Sequence, residues 1–541
     1  MRGGELLMKC LEAQGVRCVF GMPGTQNLPI YDALRDHGGI DHYLVRHEYS
    51  ATIAADGFAR ATGEVGLALT VPGPGASNAS TGIVEAFTDC VPVLLMTGQS
   101  ETRLYERDPA KQFHGLDQMR FFAPVTKYCA IAYQPDDIAG IIVEAFGAMR
   151  SGRPGPTMLE FPVDAILGEV SDQSVPACVP PILGDAPAAA ELAAAAVVVE
   201  RMRRPLILVG KAVIDGDARD ALRRLAERLE APVITTRLGK GALPDDHPLA
   251  LADMRGYLAR EAMQVADGLI AAGVRFTSID SRNWTEAFPE PMVQLDPEPG
   301  ELGREYACEV GVAGELRGSL RQLAAAVTLR EGQEWEAFLK PWRQRFAAQP
   351  PLPLLPELRA ALSDDGILAV DVHGIGYSTF AEYPVTDPRT YLYPCIGVSL
   401  GHAFGQAIGA KVAHPDRPVV AFCGDGGFLM GSCELATVAR YGIGVVVVVV
   451  NDGALTAIKG SQHKHYQGRT IDTDLTNPDF TKLAEAFGVW AKRVDDVADF
   501  SVVLAEAIGV GKPALVEVML QERQEEAMEW ISWLRDKPLR E

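Results

Sequence analysis

Two short stretches in the last third of the chain carry residues suited to holding a cation and a phosphate. Gly424-Asp425-Gly426-Gly427 directly follows the apolar run Pro418–Cys423, and Asn451-Asp452-Gly453 directly follows six valines, Val445–Val450. Each apolar run reads as a strand buried on both faces. Asp425 and Asn451 are therefore expected side by side at the carboxyl ends of neighbouring parallel strands, where open α/β sheets bind ligands. A hard divalent cation takes oxygen ligands. The Asp425 carboxylate, the Asn451 amide oxygen and the backbone carbonyl of Gly453 would supply three, with phosphate oxygens and water completing the octahedron that suits Mg²⁺. Glycines beside Asp425 let the backbone approach a diphosphate, and the helix that follows aims its N-terminus at it. Alone, the first stretch is a glycine-rich turn with a capping aspartate. The asparagine 26 residues further on favours the ligand site.

Other residues say less by themselves. Arg46-His47-Glu48-Tyr49-Ser50-Ala51 closes the strand-like Tyr43–Val45 and opens a helix. An acid in a helix's first turn is favoured by the helix dipole, so Glu48 alone reads as an end charge. Gly73-Pro74-Gly75-Ala76-Ser77-Asn78 reads as a tight turn capped by Ser77 or Asn78. Gln99 ends an apolar run. His114 sits in Phe113-His114-Gly115; a histidine can relay protons or bind a carboxylate, and an exposed loop histidine is an equally open reading.

These residues need a frame, and 541 residues suffice for three or four domains. Hydrophobic residues make up 48% and charged residues 22%, which excludes disordered and fibrous classes. Residues 1–168 alternate strand-like and helix-like patterns, with Glu5–Gln14, Asn78–Asp89 and Ser399–Val412 among the helices expected along the chain. A proline-rich stretch then leads to a second α/β block, 187–330, and a further one, Pro350–Pro356, to a third, 351–521. The tail, 522–541, reads as a charged amphipathic helix with Trp530, Trp533 and Leu534 on one face. The expected class is α/β, with three doubly wound parallel-sheet domains, the first and third reading as two copies of one domain type. The 50 basic and 71 acidic residues leave a net charge of −21, which repels phosphate backbones, so no nucleic-acid partner is expected. No apolar run reaches the ~18 residues of a membrane span. Nine scattered cysteines without a C-x-x-C pair read as reduced thiols, and no signal-peptide core is visible. A soluble, cytoplasmic protein is expected.

Gly424-Asp425-Gly426 with Asn451 resembles the diphosphate-binding motif of thiamine diphosphate (ThDP) enzymes. The likeness covers nearly the whole chain and is greatest to the acetolactate synthase and 2-oxo acid decarboxylase group. It implies a pyrimidine-binding domain at 1–168, a central domain at 187–330 and a diphosphate-binding domain at 351–521. It also implies ThDP and Mg²⁺ as cofactors, and a homodimer or homotetramer with active sites at subunit interfaces. By the same resemblance Glu48 stands beside N1′ of the cofactor's aminopyrimidine. There it favours the imino tautomer whose N4′ takes the C2 proton. Gln99, from a Gly-Gln pair that lines the cofactor in this group, is expected to join it as catalytic, as is His114 by its own proton chemistry. The residues implied to contact the cofactor are Gly24 in the loop Gly21-Met22-Pro23-Gly24, Pro74 and Asn78 in the Gly-Pro-Gly stretch, and Asp371, His373 and Gly374. Gly397, Ser399 and Leu400 follow, Leu400 as the wedge that bends ThDP from 25 residues before Asp425. Gly424, Asp425, Gly426, Gly427, Asn451, Gly453, Ala454 and Leu455 complete the set, with Asp425, Asn451 and Gly453 holding the metal.

The sequence departs from the synthases at several points. His114 and Gly115 replace Gln and Glu, and Gly460 stands where the synthases place a tryptophan that shapes the acceptor pocket. Gly460–Arg469, with His463, Lys464 and His465, is expected as a lid. FAD is not expected, because the central block is short and shows no firm flavin signature. The activity implied is decarboxylation of a small 2-oxo acid followed by attack on a second carbonyl; the alternative is protonation, releasing an aldehyde. A nicotinamide dehydrogenase lacks its G-x-G-x-x-G with an acidic partner.

Overall fold

Six consecutive valines restrict the backbone strongly, since β-branched side chains favour a pleated strand covered on both faces. In the computed structural model, Val445–Asn451 is that strand, and every residue of it is buried. The structure describes residues 1–171, 174–182, 184–330, 334–348, 351–529 and 531. They form three six-stranded sheets, all parallel, with helices on their faces. The first holds β1 (Cys18–Gly21), β2 (Asp41–Leu44), β3 (Gly66–Thr70), β4 (Val93–Gln99), β5 (Tyr128–Ile131) and β6 (Thr157–Pro162). The second holds β7 (Pro205–Val209), β8 (Val233–Thr235), β9 (Ala250–Asp253), β10 (Gly268–Ala272), β11 (Met292–Asp296) and β12 (Val310–Ala313). The third holds β13 (Ile367–Val370), β14 (Tyr391–Leu392), β15 (Val419–Gly424), β16 (Val445–Asn451), β17 (Trp490–Val494) and β18 (Ala514–Met519).

The first sheet runs β2-β1-β3-β4-β6-β5 and the third β14-β13-β15-β16-β18-β17, the same order strand for strand. The expected duplication is therefore present. The two units also share one core, in which Phe20, Ala55 and Phe58 pack with Ala403, Phe404 and Ile408. At its centre the helix Glu48–Thr62 lies against the helix His402–Ala413 with almost no gap. A Cβ on Gly409 would stand 1.9 Å from the Ala54 carbonyl oxygen, and one on Gly57 2.2 Å from the Gln406 oxygen. Only glycine allows backbones this close. A buried network fixes the same interface. Arg60 bridges Asp56 (2.6 Å) and Asp89 (2.9 Å) and reaches the Tyr393 carbonyl, while Gln406 donates to Asp56.

Sequence and structure differ at some boundaries. Pro74, expected in a turn, is in the first turn of the helix Pro74–Thr88, where its missing N–H costs nothing. The helix expected from Ser399 starts at His402, because Gly401 takes a left-handed φ of +83°. Five strands were not singled out from the sequence: β5, β9, β12, β14 and β17. All five are sheet edges, half-exposed on at least one face. The segment expected as a lid is largely the helix Thr456–His465. Of the tail, the helix Gln524–Glu529 is described; Trp530, Trp533 and Leu534 lie outside the described residues. Among the described residues no helix is long and apolar enough to cross a membrane.

Candidate active site

β15 and β16 are paired in register, Gly424 opposite Val450, so Asp425 and Asn451 leave neighbouring strands at the same level. Both are buried, at 3% exposure each. Their oxygens converge on one point: Asn477 Nδ2 donates to Asp425 Oδ2 at 2.6 Å and to Asn451 Oδ1 at 3.0 Å. Asp425 Oδ2 also accepts the Gly453 amide at 2.9 Å, and Asn451 Nδ2 is tied back to Glu517 at 2.8 Å, which aims its oxygen outward. Burial pushes the Asp425 carboxyl above its ordinary range, against the pull of these amide donors. Such a set, one carboxylate and one amide oxygen drawn to a shared electropositive partner, fits a hard cation. The Gly453 carbonyl already accepts the Leu475 amide at 2.8 Å, leaving one lone pair for a cation. Among the described residues no cluster of three or more His, Cys, Asp or Glu is placed for a metal, so a cation here would need amide, carbonyl or phosphate oxygens beside the one Asp425 carboxylate.

The floor of this site is closely fitted. A Cβ on Gly424 would lie 2.7 Å from that of His373, and one on Gly427 3.0 Å from Asp371 Oδ2. His373 is buried edge-on against Phe422, ring centroids 4.5 Å apart, and burial drives its imidazole down to about 3, so it is neutral. Gly374 leads into the short turn Ile375–Ser378. The Asp371 carboxylate accepts the amides of Val372 (2.7 Å) and Gly401 (3.0 Å), fixing the turn that begins the His402 helix. Ala454 pairs with Asp474 in an isolated bridge, and Leu455 abuts Gly426, its Cδ2 3.0 Å from where a Cβ would be.

On the first sheet, Glu48 opens its helix with 7% exposure. Asn78 Nδ2 donates to its Oε2 at 3.0 Å, and a Cβ on Gly75 would press on its Oε1 at 3.2 Å. Pro74 starts the helix that delivers Asn78. Gly24 donates to the Asn27 side chain at 2.7 Å, and Gln26 reaches the Phe113 carbonyl at 3.5 Å. His114 is half-buried with φ +56° and stacks on Phe113; its carbonyl lies 2.6 Å from where a Gly73 Cβ would be. Gln99 ends β4 and accepts the Ser100 amide at 2.8 Å.

The sequence does not announce what joins these two groups. Glu85, from the helix Pro74–Thr88, accepts the amides of Val398 (3.3 Å) and Ser399 (3.1 Å), and its carboxylate fills the space beside Gly397. Asp89, one turn on, accepts Cys395 and Ile396. The Leu400 carbonyl accepts Tyr49 Oη at 2.9 Å. In return Glu434, which follows β15, accepts the amides of Arg46 (3.0 Å) and His47 (3.2 Å), immediately before Glu48. Each domain thus grips, through one buried glutamate, the turn that presents the other domain's candidate residue. Burial raises both carboxyls, Asp89 adding to the effect at Glu85. Glu85, Glu434 and Asn477 were not singled out from the sequence. A buried-glutamate role has no local pattern, whereas Asn477 stands 26 residues after Asn451 in Thr476-Asn477-Pro478, a turn signal.

Three family descriptions match the chain: the N-terminal TPP binding domain of thiamine pyrophosphate enzymes at residues 1–121, their central domain at 192–323 and their C-terminal TPP binding domain at 374–518. The chain is 36% identical to a probable acetolactate synthase large subunit of Methanocaldococcus jannaschii, over 96% of this chain and 92% of that protein. The chain belongs to the thiamine pyrophosphate enzymes. It is also 34% identical to the acetolactate synthase large subunit of Parasynechococcus marenigrum, over 95% of this chain and 87% of that protein. To the isozyme 3 large subunit of Escherichia coli it is 32% identical, over 94% and 92% respectively. As a thiamine pyrophosphate enzyme it carries its two TPP-binding domains on the first and third sheets, the ones with the same strand order.

Proposed function

We propose that this enzyme uses ThDP and Mg²⁺ to join a decarboxylated 2-oxo acid to a second carbonyl, as an acetolactate synthase does. The convergence of Asp425 and Asn451 on a single amide at the ends of β15 and β16 carries the reading. The names of the relatives at 32–36% identity favour carboligation over release of an aldehyde. Bound ThDP would supply the electron sink for loss of CO₂. Asp425 and Asn451, with the remaining lone pair of Gly453, would hold Mg²⁺ against the diphosphate. Glycines 424, 426 and 427 would let that diphosphate reach the backbone. Leu400, held at its carbonyl by Tyr49, would set the bend of the cofactor. Glu48 would hold the proton at N1′, its Oε2 kept in place by Asn78. Gln99 and His114 would face the reacting carbonyl. In a homodimer, or a pair of them, Glu48 of one chain would serve a cofactor held by Asp425 of the other.

Purified protein with ThDP, Mg²⁺ and a panel of 2-oxo acids should release CO₂ and give 2-hydroxy ketones by mass spectrometry. Glu48→Gln should cut turnover by about 10²–10⁴-fold, the usual worth of a positioned acid-base group, while still binding ThDP. Unchanged turnover in this variant overturns the reading. Chelation with EDTA should release ThDP on gel filtration, and added Mg²⁺ should restore it.

A further inference from the structure

His402, the first residue of the helix His402–Ala413, is wholly enclosed, at 0% exposure. Its Nε2 lies 2.8 Å from the Val370 carbonyl oxygen, and its Nδ1 meets the carbonyl oxygen of Ser399. A carbonyl oxygen only accepts, and a neutral imidazole has one N–H to give. Its bare nitrogen would therefore set a lone pair against an oxygen. Turned over, the ring would present carbons to both oxygens and forfeit both bonds. A ring with a hydrogen on each nitrogen satisfies both. Such an imidazolium needs a counter-charge, because an ion buried without one is costly. The Asp371 carboxylate supplies it, 3.6 Å from Nδ1 and itself 0% exposed. Among the described residues no Lys or Arg pairs with Asp371, and the buried Arg60 is taken by Asp56 and Asp89. Glu85, from the helix Pro74–Thr88, also feels the His402 charge. The other titratable groups at this corner stay neutral: burial raises Tyr49, from the helix Glu48–Thr62, and Cys423, from β15.

The place of the ring gives it a task. A cation in a helix's first turn opposes the helix dipole, so the helix itself does not account for the charge. Ser399 and Gly401 flank Leu400, and their turn is held at the Ser399 amide by Glu85, at the Leu400 carbonyl by Tyr49 and at the Gly401 amide by Asp371. His402 adds the Ser399 carbonyl. On the other side of the pair, Asp371 Oδ2 lies 3.0 Å from where a Cβ on Gly427 would be, at the glycine floor of the diphosphate site. An unopposed carboxylate there would repel a diphosphate, whereas a carboxylate paired with an imidazolium carries no net charge. We propose that His402 is a positioning residue held as an imidazolium. It fixes the Ser399 carbonyl ahead of Leu400 and cancels the Asp371 charge beneath the diphosphate. This rests on the ThDP reading of the site and goes beyond it by assigning the charge balance under its floor.

The test begins on the full chain without cofactor, its 10 histidines labelled with ¹⁵N. Long-range ¹H–¹⁵N spectra tell a bare ring nitrogen from a protonated one. At pH 8 an ordinary histidine, which titrates at about 6.5, has one bare nitrogen. One ring should keep hydrogens on both nitrogens, and its signals should vanish in His402→Gln, or in His402→Asn should the first variant not fold. The absence of any such ring overturns the proposal without recourse to a variant, and so does one that survives the substitution. The second arm reads the cofactor. ThDP titrated in Mg²⁺ buffer by intrinsic fluorescence should bind about tenfold or more weakly to His402→Gln, while KM for the 2-oxo acid changes little. Adding Asp371→Asn, whose Oδ1 still reaches the Val372 and Gly401 amides, should recover most of that loss. An unchanged affinity in His402→Gln, or a loss that the second substitution does not recover, overturns the proposal, since a packing defect is not repaired by removing a charge. A native protein that binds no ThDP counts against the ThDP reading, and the ring spectra then decide the charge on His402 by themselves.

Discussion

Asp425 is buried, and its carboxyl is raised by that burial, yet three groups direct hydrogens at it: its own turn through Gly426, then Gly453 and Asn477. A residue in that position is poised for a stronger positive partner than an amide. Asn477 is the informative variant. Asn477→Ala removes the amide that now occupies the convergence point without touching the oxygens, so Mg²⁺-dependent ThDP binding should persist. Asp425→Ala should lose it altogether. Titrating ThDP in Mg²⁺ buffer by intrinsic fluorescence distinguishes the two. Asp425 and Asn451 were legible from the sequence because each follows an unmistakable buried strand. That the Asp371 carboxylate takes the Gly401 amide was not legible, since nothing local shows a partner 30 residues away.

At the scale of elements, the two glutamates that reach across domains dominate. Glu434 is 1% exposed and satisfies two backbone amides ahead of Glu48. Glu434→Ala would leave both without an acceptor, at about 1–3 kcal/mol for each buried donor. Urea unfolding should show a loss of that order, and turnover should fall further than stability explains because Glu48 loses its support. Glu434→Gln keeps one acceptor oxygen and should lie between. The helix pair Glu48–Thr62 and His402–Ala413 makes a second demand. Gly409→Ala puts a methyl where the Ala54 oxygen is 1.9 Å away, so the helices must part. Overpacking of this kind costs about 1–3 kcal/mol or more, and the unfolding midpoint should drop accordingly. Central strands such as β16 could be placed from their valines, but the five unseen edge strands could not. These five are partly exposed and only two to five residues long, and each is defined by its neighbour more than by its own residues.

For the whole molecule, the central domain contributes a pH dependence. Asp253 is buried with Arg237 nearby, and burial pushes its carboxyl up to about 6. The folded form then keeps a proton that the unfolded chain releases near pH 4, so this contribution is complete below about pH 4 and is lost as pH rises through about 6. The loss is on the order of 3 kcal/mol. Denaturation midpoints measured from pH 4 to pH 7 should fall less in Asp253→Asn than in the native chain. In the proposed dimer, Glu85 and Glu434 of one chain would each steady a residue used at a different active site, so the domain interface of each chain would link the two sites.

By itself the sequence determined the three α/β blocks, the family and the pairing of Asp425 with Asn451 at the ends of neighbouring strands. Those depend on local signals: buried apolar runs, glycines at strand ends, an asparagine at a fixed interval. Only the tertiary structure decided which residues hold Glu48 and Leu400 in place. Those facts depend on contacts between residues tens to hundreds of positions apart, as from Glu434 back to Arg46. A side chain's partner at that distance is set by how the domains pack, and no short stretch of chain encodes it.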